Sequence, residues 1–267
     1  MQMKKFFSIT IGIILFFSGV NMVFTAEKNS VKLTILFDNY LYQEEGLKSK
    51  WGFACLIEGM EKTILFDTGS SGDILLHNIS QLKVNPKAVE LVVISHKHWD
   101  HVGGLPAFLE INPNVSVYMP ESVAQDWEPE IKKRKAKLVA VNQPMEVCKH
   151  VFLTGEMKGP VNEQAIILET TKGLIVITGC AHPGIVEIVK NAKKIGNKKI
   201  YMVFGGFHLA QKSDAEVKRI IEEFRELGVL KVGPSHCTGD KAIQLFKDAY
   251  GDNYIKIGVG KVIEIGD

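Results

Sequence analysis

A chain of 267 residues with 46% hydrophobic and 23% charged residues is long enough for one large hydrophobic core or two small ones, and it carries no low-complexity tract. Its formal charge is +2; removing Lys4 and Lys5 with a leader would take basic residues from 32 to 30, level with the 30 acidic ones. That balance excludes a general electrostatic affinity for nucleic acid or an anionic membrane surface.

Residues 1–5 are basic, 6–17 almost wholly apolar, and 18–26 smaller and more polar. This is the layout of a secretory signal peptide cut near Thr25 or Ala26, although the apolar stretch also approaches the length of a retained membrane anchor. The expectation is therefore an exported protein, periplasmic, extracellular or membrane-anchored, with residues 27–267 as one folded domain. No Cys follows the apolar segment closely, so a lipid-modified Cys terminus is not expected.

Beyond the leader, residues 31–37 alternate Val-Lys-Leu-Thr-Ile-Leu-Phe and predict a strand that stops at Asp38-Asn39. Residues 53–57 and 63–66 predict a hairpin across Glu58-Gly59-Met60-Glu61 that finishes in Asp67-Thr68-Gly69. A helix is expected over 71–82, and the short β-branched run 89–94 predicts a buried strand. A helix over 105–109, a strand over 115–119 and a short helix over 122–131 follow, and the basic run 132–137 reads as a solvated turn.

The second half predicts strands at 138–141, 147–152, 164–170 and 174–178, the last two flanking the turn Thr171-Lys172-Gly173. Pro183 is expected in the first turn of a helix with Val186, Val189 and Ile195 on one face. A strand at 200–204 runs into Gly205-Gly206. Ser213-Asp214-Ala215-Glu216 is a capping box opening a helix with the stripe Val217, Ile220, Ile221, Phe224 and Leu227, ended by Gly228. A helix over 240–250 and strands at 254–257 and 262–265 close the chain. Helices alternate with strands in both halves and no linker divides them. The economical architecture is an α/β domain of two sheets packed face to face with helices outside.

The densest chemistry is Ser95-His96-Lys97-His98-Trp99-Asp100-His101-Val102-Gly103-Gly104, directly after a predicted strand. In an extended loop, residues two apart project to the same side, so His96 and His98 can grip one ion while Asp100 and His101 reach a second position. Imidazole with carboxylate suits Zn²⁺, and also Fe or Mn. Other strand-end loops add candidates: Asp67-Thr68-Gly69, Gly179-Cys180-Ala181-His182-Pro183-Gly184, Gly205-Gly206-Phe207-His208 and Pro234-Ser235-His236-Cys237-Thr238-Gly239. Each alone is a weak signal. Together they bring His182, His208 and His236 to strand ends that one cleft can collect. Cys180 and Cys237 stand beside histidines, which argues for site roles over a staple, although with Cys55 and Cys148 three disulfide pairings stay open.

The combination of an Asp-Thr-Gly strand end, Ser-His-x-His-x-Asp-His-x-Gly-Gly and later ligand loops resembles the metallo-β-lactamase superfamily, from about residue 31 to the C-terminus. The resemblance implies a four-layer αββα sandwich, a catalytic domain over 27–267 and a dinuclear metal site at one edge of the sheets. Thr-Gly-Cys-Ala-His-Pro-Gly-Ile, Gly-Gly-Phe-His-Leu and Pro-Ser-His-Cys-Thr-Gly resemble a narrower branch, named for 7,8-dihydropterin-6-ylmethyl-4-(β-D-ribofuranosyl)aminobenzene 5′-phosphate synthase.

The resemblance places His96, His98, Asp100 and His101 in the first ligand motif and His236 in the last ligand loop. The middle loop that supplies a His in most members corresponds to Gly159-Pro160-Val161-Asn162-Glu163-Gln164, which has none, and Cys180 stands where a bridging Asp is usual. His182 can supply the missing imidazole; Cys180 is either a thiolate ligand or a packed small residue. His208 is a substrate contact, a proton donor or a brace of Gly205-Gly206. Asp67 and Glu163 are expected to stand behind the ligands and orient them. The implied activity is that of an exported metal-dependent hydrolase using two divalent ions on an ester or phosphoester of a small molecule, with Asp100 and His208 as catalytic groups. Two alternatives stay open: a transferase of the synthase type, which export disfavours, and an exported metal-binding module without turnover.

Overall fold

Two mixed β-sheets face each other across a shared apolar layer in the computed structural model, which describes residues 30–43 and 45–266. The expected export segment, residues 1–26, lies outside the described residues. Among those described, no helix is long and apolar enough to cross a membrane.

In chain order the first half runs β1 (Val31–Phe37), β2 (Ala54–Glu58), β3 (Ile64–Phe66), α1 (Gly72–Gln81), β4 (Leu91–Val93), α2 (Trp99–Val102), α3 (Leu105–Ile111), β5 (Ser116–Pro120), α4 (Glu121–Lys133) and β6 (Lys137–Val141). The second half runs β7 (Met145–Cys148), β8 (Val151–Leu153), β9 (Ile166–Thr170), β10 (Gly173–Thr178), α5 (Ile185–Gly196), β11 (Ile200–Gly206), α6 (Asp214–Glu226), β12 (Lys231–Ser235), α7 (Asp240–Tyr250) and β13 (Val262–Ile265). The seven-stranded sheet has the order β13-β1-β2-β3-β4-β5-β6 and the six-stranded sheet β12-β11-β10-β9-β8-β7.

The patterning explains the layers. Leu33, Ile35, Phe66 and Val93 from the first sheet meet Ile166, Ile175, Ile177 and Phe204 from the second in the central core. The opposite faces are also covered: Leu36, Leu65 and Val92 pack with Leu75, Leu105 and Phe108, and Val176 and Val203 with Val189, Val217 and Phe246. Strands buried on both faces read as continuous apolar runs, which is why β4 and β10 stand out in the sequence. The result is the expected αββα sandwich.

β3 to β6 are mutually parallel, as are β10 to β12. Their C-terminal ends carry the loops at 67–69, 95–98, 179–184, 207–208 and 236–238, the end of open α/β sheets where ligands usually bind.

Four local expectations are corrected. The single strand expected over 147–152 is the hairpin of β7 and β8, with Cys148 paired to Val151 across Lys149-His150 and His150 at φ 65°. Residues 254–257 form no strand: Tyr254 makes an isolated bridge to Val232, while Ile257 plugs the central core. Pro183 precedes α5 instead of opening it, because Gly184, at φ 101°, is the residue that turns the chain into the helix. β12 also extends through Pro234-Ser235, which read as loop; Pro is tolerated there because β12 is an edge strand. The capping box is formed as expected, by Ser213 and Glu216.

Candidate metal centre

The motif loop is anchored before it reaches any ligand. Asp67 leaves β3 with its N–H on the Val93 carbonyl at 2.8 Å, and its carboxylate accepts the Ser95 N–H and the Ser95 hydroxyl, each at 2.7 Å. Only the stretch up to His98 is extended; Asp100 and His101 lie in the single turn of α2 that begins at Trp99. The Thr68 N–H and hydroxyl both donate to the His101 carbonyl at 2.8 Å, pinning that turn. Gly104 permits the approach: a Cβ there would lie 2.2 Å from the Thr68 carbonyl oxygen.

Two adjoining groups of donors result. His96, His98 and His182 bring their ligand atoms within 4.8 Å of one another, and Asp100, His101, Cys180 and His236 do the same. Within the first, His96 Nε2 and His98 Nδ1 are 3.2 Å apart. Within the second, His101 Nε2 lies 3.2 Å from His236 Nε2 and 3.3 Å from Cys180 Sγ, and His236 Nε2 lies 3.2 Å from the Asp100 carboxylate. The His96 and His101 rings, 4.2 Å apart, join the groups. Each group takes donors from both sheets.

Four imidazoles have their outer nitrogen committed to an oxygen. His101 Nδ1 donates to Asp67 at 2.7 Å, and His182 Nδ1 to Glu163 at 2.9 Å. His96 Nδ1 meets Ser95 Oγ at 2.9 Å, and His236 Nδ1 meets Asn39 Oδ1 at 3.0 Å. The Ser95 hydroxyl donates to Asp67, so toward His96 it accepts; Asn39 Oδ1 already accepts from the Gly52 N–H. Each Nδ1 therefore carries the proton and each Nε2 turns inward as a donor position, the arrangement that second partners impose on metal-binding histidines. Glu163 holds the third loop as well, accepting the N–H groups of Cys180, Ala181 and His182 at 2.8–2.9 Å.

The electrostatics match a cation. Burial and the neighbouring His101 lower His96, and burial and His182 lower His98, so both favour the neutral form that ligates. Burial would raise Asp100, but the bonds to His101 and His236 hold it well below the usual carboxylate range. Burial opposes charge on His101, yet Asp67 and Asp100 raise it to about 10. The carboxylates that attract that proton attract a divalent cation in its stead. Nitrogen, sulfur and carboxylate oxygen are the donors zinc takes, so the residues fit a metal.

His208 sits at the margin. It is exposed, its ring lies 4.5 Å from that of His182, and its ligand nitrogen shares a 4.8 Å cluster with Cys180 and Cys237. Four residues around the site, Asp67, Ala181, His208 and His236, hold left-handed backbone at φ 56°, 62°, 54° and 51°. Asn39 carries no signal in the sequence beyond that of a strand stop, and Ser95 none beyond its place at the head of the histidine motif. The same holds for Asp38, whose buried carboxylate accepts from Ser235 Oγ and is pushed up to about 6 by burial. Trp51, 49% exposed, places its ring 5.0 Å from that of His236.

Residues 52–240 match the family model of the Metallo-beta-lactamase superfamily. The chain is 30% identical over 285 aligned positions to 7,8-dihydropterin-6-methyl-4-(beta-D-ribofuranosyl)-aminobenzene-5'-phosphate synthase of Methanocaldococcus jannaschii, covering 88% of this chain and 97% of that protein. The crystal structure of Tm1679, a metal-dependent hydrolase of the beta-lactamase superfamily, superposes with a TM-score of 0.77 at 31% identity, over 89% of this chain and 100% of that one. The metallo-beta-lactamase fold protein YhfI of Bacillus subtilis shares the fold at 14% identity and a TM-score of 0.65, over 87% and 99% of the two chains.

Proposed function

The chain belongs to the metallo-β-lactamase superfamily, and from that premise we propose that it is a metal-dependent hydrolase cleaving an ester or phosphoester bond of a small molecule. The observation that carries the reading is the convergence of four inward Nε2 atoms with His98, Asp100 and Cys180. His96, His98 and His182 would hold one divalent ion; Asp100, His101 and His236, with Cys180, would hold a second, zinc suiting the set best. When bound, such ions supply Lewis acidity and bring the pKa of water near neutrality.

The chain's own residues do the rest. Asp100, held ionised, accepts a hydrogen bond from the attacking water and orients it. His208 stands beside His182 with access to solvent and can hand a proton to the leaving oxygen. Trp51 and Trp99, both half exposed, offer flat apolar surface to the substrate. The leader-like composition of residues 1–26 supports action outside the cytoplasm.

A second reading, group transfer of the synthase type, is favoured by the 30% identity to the archaeal synthase along 88% of the chain. The test is turnover by zinc-, manganese- and iron-loaded protein on phosphodiester, phosphomonoester and lactone panels, alongside the two synthase substrates. Hydrolysis that disappears in His98→Ala supports the first reading. Condensation of the synthase substrates without hydrolysis establishes the second. Metal binding with neither reaction leaves a binding module and ends both.

A further inference from the structure

All four cysteines are free and buried, and two of them meet. Cys180 follows β10 and Cys237 follows β12, strands that are separated by β11 in the sheet. A meeting across an intervening strand needs a gap, and Gly206, the last residue of β11, provides it. A Cβ on Gly206 would lie 2.7 Å from Cys237 Sγ and 3.1 Å from Cys180 Cα. Cys237 Sγ donates to the Cys180 carbonyl at 3.5 Å, and the two sulfurs lie within 4.8 Å of each other.

The Cys180 sulfur faces two ways. On one side it lies 3.3 Å from His101 Nε2, within the cluster of Asp100 and His236; on the other it faces Cys237 and His208. His208 is exposed, so the sulfur pair lies one side chain from solvent. The hydrolase reading uses Cys180 and leaves Cys237 without a task.

We propose that Cys180 and Cys237 close a reversible disulfide, and that closure withdraws the Cys180 sulfur from the Asp100–His101–His236 cluster and weakens the hold on metal there. The inference rests on the reading of that cluster as a metal site. The oxidant is a peroxide. The Cys237 sulfur attacks one peroxide oxygen, the O–O bond breaks, and a sulfenic acid forms as the other oxygen leaves as water. The Cys180 sulfur then attacks the Cys237 sulfur, the S–O bond breaks, and that oxygen leaves as a second water. Two thiols lose two electrons and two protons, and one hydrogen peroxide becomes two waters. A dithiol reverses the step by exchange. An S–S bond is about 2.05 Å long, so closure draws the sulfurs together and off the cluster.

The test uses the full chain loaded with zinc, treated with hydrogen peroxide and then with dithiothreitol. Thiol count, peptide mass mapping and zinc affinity are read at each stage. Expected are a Cys180–Cys237 linked peptide pair, at least about tenfold weaker binding of one zinc equivalent, and recovery of both with dithiothreitol. Cys237→Ser should keep its zinc through the peroxide step. Peroxide treatment that leaves these thiols unlinked overturns the proposal, as does a linked pair with unchanged zinc affinity. A zinc equivalent missing from untreated Cys237→Ser would also overturn it, making Cys237 a ligand. Protein that binds no zinc before oxidation sinks the metal reading, and the withdrawal proposal with it; mapping then reports only whether the bond forms.

Discussion

Glu163 accepts two hydrogen bonds from His182, one from its backbone N–H and one from ring Nδ1, both at 2.9 Å. Burial would raise this fully buried carboxylate, but the neighbouring His96 and the bonds from His182 and Ala181 hold it well below the usual range. One side chain from the loop before β9 thus shapes the irregular loop after β10 and sets the tautomer of its histidine. The stretch that lacks the usual histidine contributes instead the group that positions a different one.

Glu163→Gln puts an amide NH₂ where donors already converge. Zinc affinity should fall by about 10- to 100-fold, the range typical of outer partners of metal ligands. Competition against a chromophoric chelator measures it. Affinity equal to wild type would show that the carboxylate has no part in holding His182.

Asn39→Ala removes the oxygen behind His236 Nδ1, 197 residues away in sequence. Zinc binding should weaken about tenfold or more, with Asn39→Asp recovering most of it because the acceptor is kept. Equal losses in the two variants would assign the effect to loop packing.

Both donor groups draw on both sheets, so a bound ion ties the sheets together. Stripping zinc with a chelator should lower the thermal midpoint, and returning zinc should restore it. Free zinc at 100-fold over Kd would add about 2.7 kcal/mol if the unfolded chain does not bind it. Scanning calorimetry at two zinc concentrations reads the shift; a midpoint indifferent to zinc would contradict the placement of the ligands.

Ser213→Ala should cost about 1 kcal/mol by removing the cap of α6. Glu216 in the same box is held at about 2, from an ordinary 4.5, first by the Ser213 N–H, then by the Ser213 hydroxyl and Lys212. Its folded value is depressed, so its contribution is complete above about pH 4.5 and is lost as pH falls toward 2. Denaturant midpoints of wild type and Glu216→Gln should therefore differ at pH 6 and converge near pH 2. A constant gap across that range would refute the assignment.

The layers and the first ligand loop were legible because their signals are local. β4 is a β-branched run buried on both faces, and four donors crowd residues 96–101 just beyond it. Asn39 and Ser95 were not legible as site residues, because what they do depends on partners that folding brings to them. Asn39 meets His236 across 197 residues, and Ser95 acts through Asp67, 28 residues earlier. The break between β7 and β8 was hidden for a local reason: Lys149-His150 carries no glycine, and His150 adopts the left-handed turn itself. At 254–257 the alternation is real, but it serves to bury Ile257, and no strand forms on the free edge of β12.

The left-handed backbone at Asp67, Ala181, His208 and His236 has a consequence for any effort to harden this protein. Outside glycine, that conformation costs on the order of 1–2 kcal/mol per residue. Three of the four carry the groups that make the site, so relieving the strain with glycine there deletes the chemistry. Asp67 and His236 are buried and hydrogen-bonded, so glycine there would cost more than the strain it relieves. At the exposed His208, selection for heat resistance alone should favour glycine and leave a sturdier protein without that imidazole.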